Sequence, residues 1–169
     1  MSVNHPVIAI TGSSGAGTTS VMRTFEQIFR RESVTAAFIE GDAFHRYNRA
    51  EMKEKMAEAV AQGNQHFSHF GPQTNLFEEL ETLFRDYGAS GRGRTRKYLH
   101  DDAEAAPYKQ KPGTFTAWED LPANTDLLFY EGLHGAVVSG AVDVAKHVDL
   151  LIGVVPVVNL EWIQKLHRD

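Results

Sequence analysis

The sequence predicts an α/β fold in which helices cover both faces of a parallel sheet. Short apolar runs, typical of buried strands, alternate with segments of helical periodicity along the 169 residues. The first apolar run, Val7 to Ile10, ends in a glycine-rich turn, and a helical pattern follows it directly. Because ligands of such sheets bind beyond the carboxyl ends of the strands, we expect the residues that follow the strands to share one cleft.

The remaining elements follow from periodicity and composition. Helices are predicted after the glycine-rich turn, through Phe29, and over residues 50–62, 76–87 and 160–167. Runs of β-branched and aromatic residues predict strands over 34–40, 126–130 and 148–155, with two shorter strands over 94–100 and 113–118. Residues 63–74 have the composition of turns. We expect a single domain over residues 1–169.

The glycine-rich turn fits a phosphate-binding loop at all but one position. The pattern G-x-x-x-x-G-K-[ST] has lysine where this sequence has Thr18. Its glycines permit positive φ and close backbone approach, so that N–H groups cradle phosphate oxygens at a helix N-terminus. The residues predicted to bind nucleotide are Gly12, Ser13, Ser14, Gly15, Ala16, Gly17, Thr18, Thr19 and Ser20.

This loop predicts a sheet of the P-loop NTPase type. The Thr19 hydroxyl stands where such loops bind Mg²⁺. The cation that lysine would supply must come from elsewhere in the chain. The alternative is a tight turn between strand and helix, or a nucleotide site that has lost its lysine.

Carboxylates follow two of the predicted strands. Asp42 comes after the strand over 34–40, where a carboxylate suits a general base that orients an acceptor hydroxyl and takes its proton. Its alternative role is the N-cap of the next helix. Glu131 ends the strand over 126–130, where an acidic residue meets Mg²⁺ directly or through water. Its alternative is a loop carboxylate without a special role.

Histidines and an arginine supply further candidates. His45 and Arg49 are four residues apart, so a helical segment would place both on one face, where they suit a phosphorylated sugar. A solvated helix start is the alternative. For His66 and His69 we expect a structural or substrate-facing loop rather than a metal site, since the chain has no cysteine.

One dense basic run comprises Arg92, Arg94, Arg96 and Lys97. Alternation would place its three arginines on one face of a strand. An acidic run over residues 101–104 follows directly, which favours local charge pairing over nucleic-acid binding.

The predicted last helix carries Lys165, Arg168 and Asp169. Lys165 and Asp169 suit a surface ion pair, since they are four residues apart. The functional alternative is that these cations replace the lysine missing at Thr18. No glycine, asparagine or proline follows, so we expect the helix and the protein to continue beyond residue 169.

Composition narrows the class of protein. The net charge of −5 disfavours nucleic-acid partners, and the absence of cysteine excludes thiolate nucleophiles and disulfides. The first residues do not resemble a signal peptide, and the longest apolar stretch, 148–158, is too short to cross a bilayer. We expect a cytoplasmic protein without membrane or nucleic-acid partners.

Five segments together resemble bacterial-type phosphoribulokinases. They are Gly-Ser-Ser-Gly-Ala-Gly-Thr-Thr (12–19), Glu-Gly-Asp-Ala-Phe-His-Arg (40–46), Arg-Thr-Arg-Lys-Tyr-Leu-His (94–100), Tyr-Glu-Gly-Leu-His-Gly (130–135) and Trp-Ile-Gln-Lys-Leu-His-Arg-Asp (162–169). Threonine in place of the loop lysine is itself a feature of that family. The resemblance implies phosphorylation of ribulose 5-phosphate to ribulose 1,5-bisphosphate, with ATP and Mg²⁺, in the Calvin cycle.

The resemblance also implies roles on the sugar side. Asp42 would be the general base for the sugar hydroxyl, and His45 and Arg49 would hold the sugar phosphate, with His100 as a further neighbour of the substrate. Bacterial members are homo-oligomeric, commonly respond to NADH and AMP, and continue well beyond position 169.

Four more residues receive roles at the phosphoryl group from this resemblance. Glu131 and Asp169 would act in metal binding and transition-state organisation, and Lys165 and Arg168 would stabilise the transferring phosphoryl group or bind substrate. Two alternatives stay open. One is a relative of uridine or pantothenate kinases, which ordinarily keep the loop lysine, and the other is a nucleotide-binding module without catalysis.

Overall fold

The structure, a computed structural model, describes residues 4–13, 15–157, 163 and 166. In chain order its elements are β1 (Val7–Gly12), α1 (Thr18–Arg31), β2 (Ala36–Glu40), α2 (Arg49–Ala61), α3 (Phe77–Ser90), β3 (Arg94–Thr95), α4 (Asp102–Ala105), β4 (Glu119–Asp120), β5 (Leu127–Gly132), β6 (Val138–Ser139), β7 (Val142–Asp143) and β8 (Leu150–Val154). Short 3₁₀ helices form at Gly41–Phe44, Ala106–Tyr108 and Ala145–His147.

Four of these strands form a parallel sheet in the order β2-β5-β1-β8. In its register, Glu131 on β5 lies beside Ile10 on β1 and Glu40 on β2. Because all four strands run in the same direction, their carboxyl ends meet at one end of the sheet. The segments that follow β1, β2 and β5 therefore begin at the same edge of the sheet.

Helices cover both faces of this sheet. On one face α3 packs against strand residues that include Val7, Ala9 and Tyr130, which are completely buried. On the other face Phe29 of α1 packs against Phe129, with their rings 5.3 Å apart. Successive side chains of a strand point to opposite faces, so alternate positions of one strand serve two cores. This arrangement confirms the predicted α/β class.

The second strand is shorter than predicted, because it begins at Ala36 rather than Val34. The N–H of Val34 donates to the Phe29 carbonyl at 2.8 Å, which closes the end of α1. The N–H of Thr35 donates to the Asp126 carboxylate at 2.7 Å. The N–H groups of these two residues therefore bond outside the sheet, that of Val34 to a helix end and that of Thr35 to a side chain.

The two short strands predicted over 94–100 and 113–118 are only partly correct. The regular antiparallel ladder joins Arg94–Thr95 to Glu119–Asp120, and Tyr98 and Phe115 form one further bridge. Between them the Thr116 hydroxyl accepts from the Lys97 N–H at 2.9 Å. The Thr116 hydroxyl thus replaces the backbone carbonyl that would accept this hydrogen bond in a continuous ladder.

One further element was not predicted, and one prediction is not tested. The antiparallel hairpin of β6 and β7 was not predicted, since strands of two residues carry too little periodicity to be recognised. The helix predicted over 160–167 lies outside the described residues, apart from positions 163 and 166.

Candidate active site

A cleft of about 770 Å³ opens at the carboxyl ends of β1, β2 and β5. The predicted site residues that line it are Gly12, Ser13, Gly15, Gly17, Thr18, Thr19, Ser20, Asp42, His45, His100 and Glu131. The structure thus brings together the predicted phosphate loop and the two predicted carboxylates. Four predicted site residues lie outside the described residues: Ser14, Lys165, Arg168 and Asp169.

The phosphate loop joins β1 to α1, and its glycines serve two different purposes. Gly15 and Gly17 have φ of 85° and 96°, and Gly17 is the N-cap of α1. Gly12, which the sequence would also permit a positive φ, does not have one, and its constraint is a different one. A Cβ at Gly12 would lie 2.7 Å from the Val154 carbonyl oxygen and 2.9 Å from the Thr18 methyl. Gly12 is therefore required by close packing.

Thr18, which replaces the usual lysine, is a buried residue at the start of α1. Its methyl group lies beside Gly12. A short uncharged side chain in this place brings no cation to the cleft. The positive partial charge of the α1 N-terminus remains as the loop's own attraction for phosphate.

Asp42 lies across the cleft, in the 3₁₀ helix that follows β2. Its Oδ1 is 3.2 Å from Nε2 of His45, and its Oδ2 is 3.0 Å from Nε2 of His100. These hydrogen bonds, His100 foremost, hold the pKa of Asp42 well below its ordinary value, against burial that raises it. Asp42 does not cap a helix, because Asn48 caps α2 in a capping box with Glu51.

The two histidines are held differently behind Asp42. His45 Nδ1 is 2.8 Å from Oδ1 of Asn75, whereas His100 Nδ1 is 3.0 Å from the Glu104 carboxylate. The hydrogen bond to Asp42 raises the pKa of His100 to about 9, burial lowers it, and Glu104 adds to the rise. Burial alone would lower the pKa of His45, but the hydrogen bond and charge of Asp42, together with the hydrogen bond to Asn75, raise it.

Arg49 and His45 do not share a helix face. Arg49 begins α2, whereas His45 has extended backbone with φ of −64° and ψ of 139°. Arg49 instead reaches the site through a neighbour, since its Nη2 donates to the His100 carbonyl at 2.8 Å. A second cleft of about 480 Å³, lined by His45, Arg49 and Lys53 among others, adjoins the first on this side.

Oxygen-bearing side chains of the kind that suit a divalent cation lie at the ends of β5 and β2 and at the start of α1. Glu131 and the Thr19 hydroxyl line the same cleft. Glu40, the register partner of Glu131, also lines it, and burial raises the pKa of Glu40. Among the described residues no group of three or more acidic, histidine or cysteine side chains forms a metal site. Mg²⁺ needs fewer protein ligands than that, because it keeps waters and binds substrate phosphates.

Arg96 is a site-supporting residue that the sequence interpretation assigned wrongly. Its Nε donates to the Ala43 carbonyl at 2.8 Å and its Nη2 to the His45 carbonyl at 2.6 Å. The guanidinium carbon lies 3.7 Å from the centre of the Phe115 ring. Arg94 pairs with Asp120 at 3.5 Å. The expected pairing with residues 101–104 is therefore wrong for both arginines.

Asn75 and Glu104 were missed as candidates. Asn75 is 1% exposed. It directly follows residues 63–74, a segment whose sequence has no helical or strand periodicity. Glu104 lies in the acidic run after His100, which looked like a surface feature. Of the two histidines in the 63–74 segment, His69 lines both clefts. No helix in the described part of the chain is long and apolar enough to span a membrane.

Comparison with known proteins agrees with this geometry. The sequence profile of the Phosphoribulokinase / Uridine kinase family matches residues 7–169. The chain is 72% identical over 165 residues to a phosphoribulokinase of Nitrobacter vulgaris, a match that covers 98% of this chain and 57% of that protein. It is similar to the solved phosphoribulokinase from Rhodobacter spheroides, with 55% identity and a TM-score of 0.87 over 98% of this chain and 56% of that one.

A more distant structure shows the shared fold alone. A possible uridine kinase from Bacillus stearothermophilus is 16% identical, with a TM-score of 0.66 over 99% of this chain and 82% of that one. The chain spans a little over half the length of the curated relatives that it matches. On the match of its sequence over residues 7–169, the chain belongs to the Phosphoribulokinase / Uridine kinase family.

Proposed function

We propose that the protein phosphorylates ribulose 5-phosphate with ATP to give ribulose 1,5-bisphosphate, the step that prepares the carbon acceptor of the Calvin cycle. The observation that carries the proposal is that ionised Asp42 faces the same cleft as the phosphate loop. The names of close relatives over this part of the chain support the choice of sugar.

The chemistry is a transfer between two oxygens. The acceptor hydroxyl oxygen forms a bond to the γ-phosphorus, the bond to the β,γ-bridging oxygen breaks, and ADP leaves. Asp42 accepts the hydroxyl proton as that bond forms. Both Asp42 oxygens are bonded to histidines here, so the sugar hydroxyl must replace one of these partners.

We assign Arg49 and His100 to the sugar phosphate, with His45 beside them as a basic neighbour whose ring nitrogens face Asp42 and Asn75. Support comes from the second cleft, where His45 and Arg49 lie together with Lys53. His100 links this cleft to Asp42, since its carbonyl accepts from Arg49 and its ring contacts the Asp42 carboxylate. The second cleft thus has three basic side chains around it, His45, Arg49 and Lys53, which suits a dianionic phosphate.

For the cation we assign Thr19 and Glu131 to Mg²⁺, which neutralises charge on the β- and γ-phosphates when bound. Family resemblance further assigns Asp169 to the metal and Lys165 and Arg168 to the phosphoryl group. It also supports a cytoplasmic homo-oligomer that responds to NADH and AMP. These assignments rest on the family alone.

The test is turnover by this chain and by a chimaera that completes it with the unmatched remainder of the Nitrobacter vulgaris relative. ADP release is measured with ribulose 5-phosphate or uridine as acceptor. Asp42→Asn is expected to lower kcat about 10²- to 10⁴-fold, the usual contribution of a positioned base. Asp120→Asn is the matched control, because Asp120 is an exposed surface carboxylate.

Sugar-dependent turnover that collapses only in Asp42→Asn supports the proposal. Equal rates with uridine would favour a uridine-kinase-like enzyme. ATP binding without turnover in either protein would leave a nucleotide-binding module and contradict the proposal.

A further inference from the structure

Asn75 is a buried polar side chain that lies directly behind the Asp42 site. Its Nδ2 is 2.8 Å from the His69 carbonyl oxygen and 2.9 Å from the Gly71 carbonyl oxygen. A third acceptor, Oγ1 of Thr74, lies at 3.2 Å. On its other side, Oδ1 of Asn75 lies 2.8 Å from Nδ1 of His45.

These contacts fix which way the Asn75 amide points. A carbonyl oxygen only accepts hydrogen bonds, so the NH₂ group must face His69 and Gly71. A reversed amide would place its oxygen against both carbonyl oxygens and leave a buried donor without its acceptors, which is unfavourable. The amide oxygen therefore faces His45, and Nδ1 of His45 must carry a hydrogen to bond to it.

The other nitrogen of His45 faces a carboxylate. Nε2 is 3.2 Å from Oδ1 of Asp42, and two acceptors at that distance would repel each other. A hydrogen on Nε2 makes the ring positive and turns this repulsive contact into an ion pair. With hydrogens required on both nitrogens, the ring is an imidazolium.

We propose that Asn75 is a positioning residue that holds His45 as a cation, in a fixed plane, against Asp42. A histidine held by Asp42 alone could be either neutral, with its hydrogen on Nε2, or a cation. Asn75 removes that choice and ties the loop of His69 and Gly71 to the turn that carries Asp42. The catalytic consequence rests on the proposed function, but the state of His45 does not.

Other charged and titratable groups surround His45. The groups that face it or bond to its backbone are Asp42, His69, Arg96, Tyr98, His100 and His134. Of these, Asp42 favours the cation, whereas the positive charge of His100 opposes it. Without the Asn75 acceptor, only the Asp42 carboxylate would favour the His45 cation, while burial and the positive charge of His100 would oppose it.

The two histidines on Asp42 thereby receive different tasks. The His45 side chain is 25% exposed and is backed by buried Asn75, whereas the His100 side chain is 44% exposed and is backed by exposed Glu104. His45 is the fixed partner of Asp42. His100 is the partner that the acceptor hydroxyl displaces.

The first test reads the protonation of His45 directly. In ¹⁵N–¹H NMR spectra of the wild-type chain near pH 7, both ring nitrogens of His45 are expected to be protonated. A neutral ring, in either tautomer, would overturn the proposal whether or not the protein is a kinase. For the substitutions at Asn75, Asn64→Ala is the matched control, since Asn64 is exposed and accepts from the His66 N–H in the same loop.

Two substitutions then separate positioning from folding. Asn75→Leu removes the acceptor and is expected to lower the titration midpoint of His45 by about one pH unit or more. Asn75→Asp keeps an acceptor for His45 Nδ1 but repels the two loop carbonyls, so the midpoint is expected to stay at or above that of the wild type. If both variants, or neither, lose the His45 cation, Asn75 does not position His45.

Kinetics in the chimaera complete the test. Asn75→Leu is expected to lower kcat about tenfold more than Asn75→Asp, since only the leucine variant loses the oriented cation beside the base. A matching fall in both variants would point to loop packing alone and would overturn the catalytic part of the proposal.

Discussion

The two sides of the cleft are built in different ways. The phosphate side is the described part of residues 12–20, a short stretch of sequence whose shape follows from Gly12, Gly17 and the start of α1. The acceptor side comprises Asp42, His45 and His100 with the groups bonded to them, Asn75, Arg96 and Glu104. Hydrogen bonds between distant segments hold it together.

This difference has a physical consequence. A continuous unit is specified by local backbone geometry, so a substitution in the phosphate loop acts where it is made. An assembled site depends on every segment that contributes to it. Removing one supporting side chain should therefore disturb several site residues at once while leaving the phosphate loop intact.

The largest effect is expected at Arg96, which holds the acceptor side from behind. Arg96→Leu removes two charge-assisted hydrogen bonds to the carbonyls of Ala43 and His45 and the stacking on Phe115. We expect the free energy of unfolding to fall by about 3 kcal/mol, measured by denaturant titration. ATP affinity, measured by calorimetry under conditions in which the variant is folded, should change by less than about threefold.

The matched control is Arg94→Leu, from the same basic run. Arg94 bonds to the Trp118 carbonyl and pairs with Asp120 in solvent, so the expected loss is at most about 1 kcal/mol. Equal losses for the two variants would show that Arg96 does not support the site. A large loss of ATP affinity in Arg96→Leu would show that the two sides are not independent.

The same division explains what the sequence predicted and what it missed. The phosphate loop and the strand-end carboxylates were predicted because their spacing is local and the parallel topology brings strand ends together. Asn75 and Arg96 could not be predicted, because their roles come from contacts with segments about 30 to 50 positions away. Their own neighbourhoods resembled a turn and a basic surface run.

A smaller effect is expected on the phosphate side. Gly12→Ala would place a Cβ 2.7 Å from the Val154 carbonyl oxygen, which is backbone and yields only if β8 shifts from β1. Overpacking of this kind costs about 2 kcal/mol. We expect weaker ATP binding by calorimetry, while the NMR signals of His45 and His100 stay near their wild-type positions.

Gly153→Ala is the control, because a Cβ at that β8 position meets nothing within 4 Å. If Gly12→Ala binds ATP as well as this control does, close packing at Gly12 does not shape the loop. If it shifts both histidine signals, the acceptor side depends on the phosphate side after all.

The smallest effect concerns the exposed partner of Asp42. The pKa of His100 rises from 6.5 to about 9 on folding, through Asp42 first and Glu104 next. Folded protein therefore holds this proton more tightly than unfolded protein. The resulting stabilisation is complete below about pH 6.5, while Asp42 stays ionised, and is lost as the pH rises through about 9.

The expected readout is the difference in unfolding free energy between wild type and His100→Asn, measured from pH 6 to pH 10. That difference should shrink as the pH rises, and added salt should reduce it at pH 6, because the pair is solvent-exposed. His66→Asn, at an exposed histidine outside the cleft, corrects for general effects of pH on the chain. A difference that stays constant with pH would mean that His100 contributes packing rather than charge, and that it is not the exchangeable cation on Asp42.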